Sequence, residues 1–379
     1  MLLPELLDPS RWSVERRATV EADDLWRDGE SRIIEADELS ATPSFYPLYR
    51  LGNAYCHSPL GLIARAGGLQ LDRDVARRIG RGDARYWSGR ETLDTRVLRV
   101  GAPRVSALTL QDADTFVARF TDALVVDVAA AESVHAGHTN VVLCGGRDSL
   151  NLLLLPWQHP VIALSAAPNF ALVRRFVEEN GLDIPVRELR DEDQSLLETE
   201  VIANLCRLDL RHCRWAGELR AIAKELERRV VFWKGQLGDT FLTPYWRTYT
   251  HPAKARRIVR LPGLRSLTAH PLYQAYFWWS HFHRGAMWQG THLSVLRDLT
   301  DALFLSAYHG PAVSSVLAEV DLAAAVREDV RPQIGARLAG RAVKYPESNP
   351  GPAPSSFRRG ISGVGHFLEV AARKGLRVS

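Results

Sequence analysis

Two short segments of this chain carry residue types able to handle phosphate. The first is VVLCGGRDS, residues 141–149, an apolar run that breaks into two glycines, an arginine, an aspartate and a serine. Adjacent glycines let backbone amides approach a ligand closely, and the start of a following helix offers unpaired N–H groups to an anion. Ser149 adds a hydroxyl, and the Asp148 carboxylate suits a divalent cation that bridges phosphates. Arg147 could pair with a phosphate or a substrate carboxylate, or simply face solvent. The loop has neither the G-x-x-x-x-G-K-[ST] pattern nor G-x-G-x-x-G. Taken alone it reads either as an anion cradle or as an ordinary glycine turn before a helix. The second segment, KGQLGDTF at 234–241, also follows an apolar run and sets Asp239 in a glycine loop. In an open α/β sheet, ligands bind beyond the carboxyl ends of strands. Two aspartates delivered there suit a magnesium ion holding a triphosphate.

The elements around these loops follow from periodicity. Phe116, Phe120, Leu124 and Val125 recur at helical spacing and predict a helix over 112–130. VIALSAAP at 161–168 reads as a second buried strand, after which NFALVRRFVEEN reads as a helix stopped by Gly181. A short third strand comes next, then a helical stretch over 197–229, and RRVVFWK as a fourth strand. Strands alternating with helices predict a parallel α/β sheet. Residues 1–105 alternate short apolar runs with turn residues and predict a β-rich unit, with 106–379 as the second domain. Beyond about 250 the chain reads as mostly helical, and it loosens at YPESNPGPAPSS into a surface loop.

With 379 residues, 46% apolar and 24% charged, the composition is that of a globular protein of more than one domain, not a disordered or fibrous one. A net charge of +4 over so long a chain does not predict a nucleic-acid groove. Cys56, Cys144, Cys206 and Cys213 form no C-x-x-C pair, so neither a structural zinc site nor a disulfide framework is expected. The N-terminus carries Glu5 and Asp8 where a signal peptide needs a basic start, and no apolar run approaches bilayer length. A soluble cytoplasmic protein that binds neither nucleic acid nor membrane is the expectation.

Residues 143–149 resemble the S-G-G-x-D-S loop of the ATP-pyrophosphatase superfamily. KGQLGD resembles the S-G-E-G-x-D-E loop of asparagine synthetases and their relatives, the β-lactam synthetases and lasso-peptide cyclases. Upstream, PLYRLGNAYCHSPLGLIARAGG and ETLDTRVLRVGAPRV resemble the tail of those enzymes' glutaminase-like domain. Downstream, LAGRAVKYPESNPGPAPSSF resembles the lysine segment of β-lactam synthetases. The resemblance implies a HUP-like ATP-pyrophosphatase domain behind a degenerate glutaminase-like domain. It also implies ATP activation of a carboxylate as an acyl-adenylate, followed by amide formation with an amine. ATP and Mg2+ are the implied cofactors. The nucleotide would be held by Leu143, Cys144, Gly145, Gly146, Asp148, Ser149, Leu164, Lys234 and Gly235, and magnesium by Asp148 and Asp239. Lys344 would neutralise charge developing on the acyl-adenylate. The implied substrate is a small molecule or peptide bearing the carboxylate and amine, with a biosynthetic partner protein as a further candidate.

The chain departs from that pattern at several positions. Cys144 replaces the first serine of the loop, and Thr240 the acidic residue after the metal-binding aspartate. Gln236 stands where relatives place a glutamate or tyrosine, and it cannot accept a proton. SHFHRG at 280–285 offers histidine instead, and His281 is the candidate base, with aromatic core packing as the alternative. Leu2 stands where the glutaminase nucleophile would be a cysteine, so a substrate amine rather than glutamine-derived ammonia is expected. The aromatic–basic stretch 243–260 reads as an amphipathic surface or a carboxylate-binding face. The six rings of LYQAYFWWSHFH read as core or as a pocket lining. A catalytically degenerate nucleotide-binding scaffold is the alternative to a ligase.

Overall fold

The computed structural model describes residues 34–35, 49–51, 54–56, 109–192, 213–235, 238–244, 293, 296–297 and 299–346. Strands β1 (Ile34–Glu35), β2 (Tyr49–Leu51) and β3 (Ala54–Cys56) form a small antiparallel sheet in the order β1-β3-β2. Antiparallel pairing agrees with the hairpin-like alternation of that region. The rest of the proposed N-terminal domain lies outside the described residues, and so do His281, Gln236 and the aromatic stretch at 272–283.

Helix α1 (Ala113–Val134) starts where Asp112 accepts hydrogen bonds from the Thr115 N–H at 2.7 Å and its hydroxyl at 2.6 Å. Its i, i+4 row of Phe116, Phe120, Leu124 and Val128 is buried, so the helix has one core-facing stripe. Five parallel strands follow: β4 (Thr139–Leu143), β5 (Val161–Ala166), β6 (Val186–Leu189), β7 (Val230–Lys234) and β8 (Leu303–Ser306), in the spatial order β6-β5-β4-β7-β8. Helices α2 (Arg147–Leu152), α3 (Phe170–Glu179), α4 (Ala216–Glu225) and α5 (Gly238–Leu242) lie between them in sequence. After β8 come α6 (Pro311–Glu319), α7 (Leu322–Ala325) and α8 (Arg331–Ala339). The protein therefore has an α/β architecture with a five-strand parallel sheet.

Strands β4 and β7 are central and buried on both faces, which is why they read as unbroken apolar runs instead of alternating ones. The helix stop at Gly181 is real, with φ +58° just beyond α3. Strand β8 was not expected: LFLS falls in the part of the chain that reads as helical. Its four buried residues give no period that separates a short buried strand from a helical turn. Only pairing with β7, Val231 to Leu303 through Lys234 to Ser306, defines it.

Packing locks the carboxyl end of the sheet to the helices. Phe120 lies 5.8 Å from Phe241 and 5.9 Å from Tyr308, joining α1, α5 and the turn after β8. The buried Asp127 of α1 accepts from the N–H groups of Ala312 and Val313, at 2.9 and 2.8 Å, and so caps α6. Among the described residues no helix is long and apolar enough to cross a membrane.

Candidate functional site at the switch point of the sheet

The strand order reverses at β4. The chain first adds β5 and β6 on one side, then crosses to lay β7 and β8 on the other. That reversal is the switch point, between the carboxyl ends of β4 and β7, where open α/β sheets place their ligand sites. Both glycine loops arise there. The register pairs Leu143 with Leu164 on one side and with Lys234 on the other, and Lys234 with Ser306, so the four residues share one level. Cys144 and Gly235 are therefore the first residues beyond neighbouring strands.

The two loops touch through their backbones. A Cβ on Gly235 would lie 2.8 Å from Ser149 Cα, 2.9 Å from Ser149 N and 3.0 Å from the Asp148 carbonyl carbon. Only glycine allows that approach. Further along, the Asp239 N–H donates to Asp148 Oδ2 at 3.1 Å. The sequence expectation that Asp148 and Asp239 meet at one sheet end is thus realised in the geometry.

Strand β5 pins the first loop from the other side. The Cys144 N–H donates to the Leu164 carbonyl at 2.7 Å, Ser165 Oγ donates to the Cys144 carbonyl at 2.7 Å, and Asn169 Nδ2 donates to the Gly145 carbonyl at 3.0 Å. Leu164 contributes its carbonyl to this bracing, and its side chain is buried. Within the loop, the N–H groups of Gly145 and Gly146 donate to Ser149 Oγ at 3.1 and 3.3 Å, and that hydroxyl donates to the Gly146 carbonyl at 2.8 Å. An anion entering here would compete with Ser149 for the two amides. The Cys144 thiol faces inward, near the Val142 carbonyl at 3.6 Å, and burial pushes it up to about 12. Cys144 is therefore a core-facing side chain. Lys234 is also buried, at the last position of β7.

Two of the site's charges, on Arg331 and Asp329, come from residues that the sequence did not single out. Arg331, at the start of α8, donates from Nη1 to Asp148 Oδ1 at 2.9 Å. Its Nε and Nη2 fork onto Asp329 at 2.8 and 2.7 Å. Arg147 lies 3.6 Å from Asp329 and also donates to the Pro346 carbonyl at 3.2 Å. Tyr308, just after β8, donates its hydroxyl to the Asp148 carbonyl at 2.7 Å. Burial pushes the Asp148 carboxyl up to about 6, against the Arg331 guanidinium and with help from Asp239. Burial acts upward on Asp329 too, but its fork with Arg331 outweighs that and holds it below the usual range. Burial and the Asp148 charge raise the Tyr308 phenol, so it stays a donor.

Magnesium does not fit this arrangement as it stands. Both Asp148 oxygens are engaged, one by a guanidinium, and among the described residues no group of three His, Cys, Asp or Glu could hold a metal ion. Lys344 is held through its backbone, beside Tyr345, whose hydroxyl donates to Asn151 Oδ1 and to the Arg331 carbonyl. The Lys344 backbone N–H donates to Asn180 Oδ1, and its carbonyl accepts from Asn180 Nδ2, both at 2.9 Å. Asn180 caps the end of α3 remote from the loop, about 15 Å away along a ten-residue helix. The segment 341–346 runs from there along α3, with Tyr345 5.5 Å from Phe176 and its hydroxyl at Asn151 of α2 and the Arg331 carbonyl, and the Pro346 carbonyl accepts from Arg147. A shallow recess lined by Gly146, Arg147, Leu150, Asn169, Leu172, Val173 and Pro346 lies between this segment and the loop.

No signal within the sequence marks Arg331, which stands 183 residues from Asp148. A D-x-R followed by proline at a helix start, as at 329–332, is too common to single out. The chain matches no protein-family model, and no curated protein matches it.

Proposed function

We propose that this chain is an ATP-dependent, AMP-forming ligase built on a HUP-like ATP-pyrophosphatase domain. It would activate a substrate carboxylate for attack by a substrate amine, without glutamine. One observation carries the reading: two glycine loops, each with an aspartate, meet backbone to backbone at the switch point. The switch point is where α/β sheets bind nucleotides, and the loops are the segments that resemble the two ligase motifs. In the first step a carboxylate oxygen attacks the α-phosphorus of ATP, and the bond to the β-phosphate oxygen breaks to release pyrophosphate. In the second step the amine attacks the acyl carbon, the bond to AMP breaks, and the nitrogen loses a proton. Binding and orientation do most of this work once the acyl group is activated. On this chain the Gly145 and Gly146 amides, if a phosphate displaces Ser149 Oγ, and the half-buried Arg147 guanidinium are the groups that would meet the phosphates. The ligase reading implies that the proton acceptor, His281 by resemblance, comes from outside the described residues.

Unfolding with and without a non-hydrolysable ATP analogue tests the nucleotide half. Ligand at 100 times its dissociation constant stabilises the fold by about 2.7 kcal/mol. The shift should vanish in Asp148→Ala, which releases Arg331 and unties the two loops. No shift at millimolar analogue in the wild type would sink the reading. Pyrophosphate release on screening carboxylic acids tests the ligase half.

The engagement of the Asp148 carboxylate by Arg331 favours a second reading, a nucleotide-binding scaffold that serves a partner enzyme. A saturable nucleotide shift with no pyrophosphate release, and retained partner binding in Asp148→Ala, would support it.

A further inference from the structure

We propose that the Arg331 guanidinium takes the place of a divalent cation at the Asp148 carboxylate. The exclusion of the metal does not rest on the nucleotide reading above. Asp148 has spent both oxygens, Oδ1 on Arg331 at 2.9 Å and Oδ2 on the Asp239 N–H at 3.1 Å. The guanidinium cannot swing aside cheaply, because Asp329 grips its other edge at 2.8 and 2.7 Å and also accepts the Arg331 backbone N–H at 3.1 Å. The Arg331 and Asp148 side chains are each only 16% exposed. A bare divalent ion at this position would meet a fixed positive charge.

An arginine keeps its charge at any physiological pH, and its fork geometry suits phosphate and carboxylate. The site therefore carries a permanent cation at Asp148 in place of an exchangeable one, its charge offset by the carboxylates of Asp148 and Asp329. Arg331 is then the fixed counter-ion of Asp148, held in position by Asp329.

The test uses the full chain and Mn2+ alone, followed by the paramagnetic signal of the free aqua ion. Wild type and Arg331→Lys should take up no stoichiometric Mn2+ in the low-millimolar range. Arg331→Met should gain one site at least about tenfold tighter, since it removes a unit charge within contact distance. That gain should disappear in the double variant Arg331→Met/Asp148→Asn. Arg331→Gln, which keeps a donor toward Asp148, replaces the methionine variant if circular dichroism shows that variant unfolded. The proposal falls if wild type binds one Mn2+ as tightly as Arg331→Met and loses it in Asp148→Asn. It falls equally if neither neutral variant gains a site. No nucleotide is present, so failure here is distinct from failure of the nucleotide reading.

Discussion

Gly235→Ala is the sharpest probe of the switch-point site. The new methyl would lie 2.8–3.0 Å from three backbone atoms of Asp148 and Ser149. Normal carbon contact is near 3.6–3.8 Å, so the loops must part by about 0.8–1 Å. Overpacking of this kind costs about 1–3 kcal/mol. The same shift would stretch the 3.1 Å Asp239 N–H···Asp148 bond to roughly 4 Å, beyond hydrogen-bond range. A hydrogen bond to a charged group contributes about 1.5–3 kcal/mol. Alanine recovers about 0.4–1 kcal/mol by restricting the unfolded chain. The expected net loss is about 2–4 kcal/mol. Gly145→Ala, one strand away, is the control. Its Cβ would meet no atom within 4 Å, so the variant should be unchanged or more stable by up to about 1 kcal/mol. Urea unfolding followed by far-UV circular dichroism reads both. If Gly235→Ala costs no more than Gly145→Ala, the loops do not touch as described, and the convergence of Asp148 and Asp239 loses its structural basis.

Other outcomes follow from single groups. Burial pushes Asp127 up to about 6 from an ordinary 3.8, so the folded state holds that proton more tightly than the unfolded chain. Stability should therefore fall as pH rises from about 4 to about 6, by up to about 3 kcal/mol from this group, and level off above. Unfolding curves across that range should show a shallower fall in Asp127→Asn; an unchanged slope would refute the assignment. The Cys144 thiol, buried and pushed up to about 12, should resist alkylation in the native protein at pH 8 and react in urea, as mapped by mass spectrometry. Asn180→Ala should cost about 2–4 kcal/mol, because the N–H and carbonyl of Lys344 and the Phe176 carbonyl all lose a partner. Hydrogen exchange should then accelerate at the Lys344 amide while the β4 amides stay protected.

Local pattern alone determined much of this protein. The helical spacing of Phe116, Phe120 and Leu124 marks α1, the apolar runs mark β4, β5 and β7, and the glycines mark both loops. Each signal lies within a dozen residues and reflects a period or a backbone requirement that the segment carries by itself. Strand β8 escaped because four buried residues carry no period, and its identity rests on hydrogen bonds to β7 some seventy residues earlier. The site divides the same way. Asp148 and Asp239 were legible because each sits in a glycine loop after a strand. Arg331, Asp329, Tyr308 and Asn169 were not, because nothing local distinguishes them from other surface-type residues until the fold brings them to the switch point. Lys344 was marked only by resemblance, and the fold fixes its backbone through Asn180. Sequence supplies the reactive types and the elements that bear them. Which charge ends up against which depends on contacts between segments nearly two hundred residues apart, and those exist only once the sheet order is set.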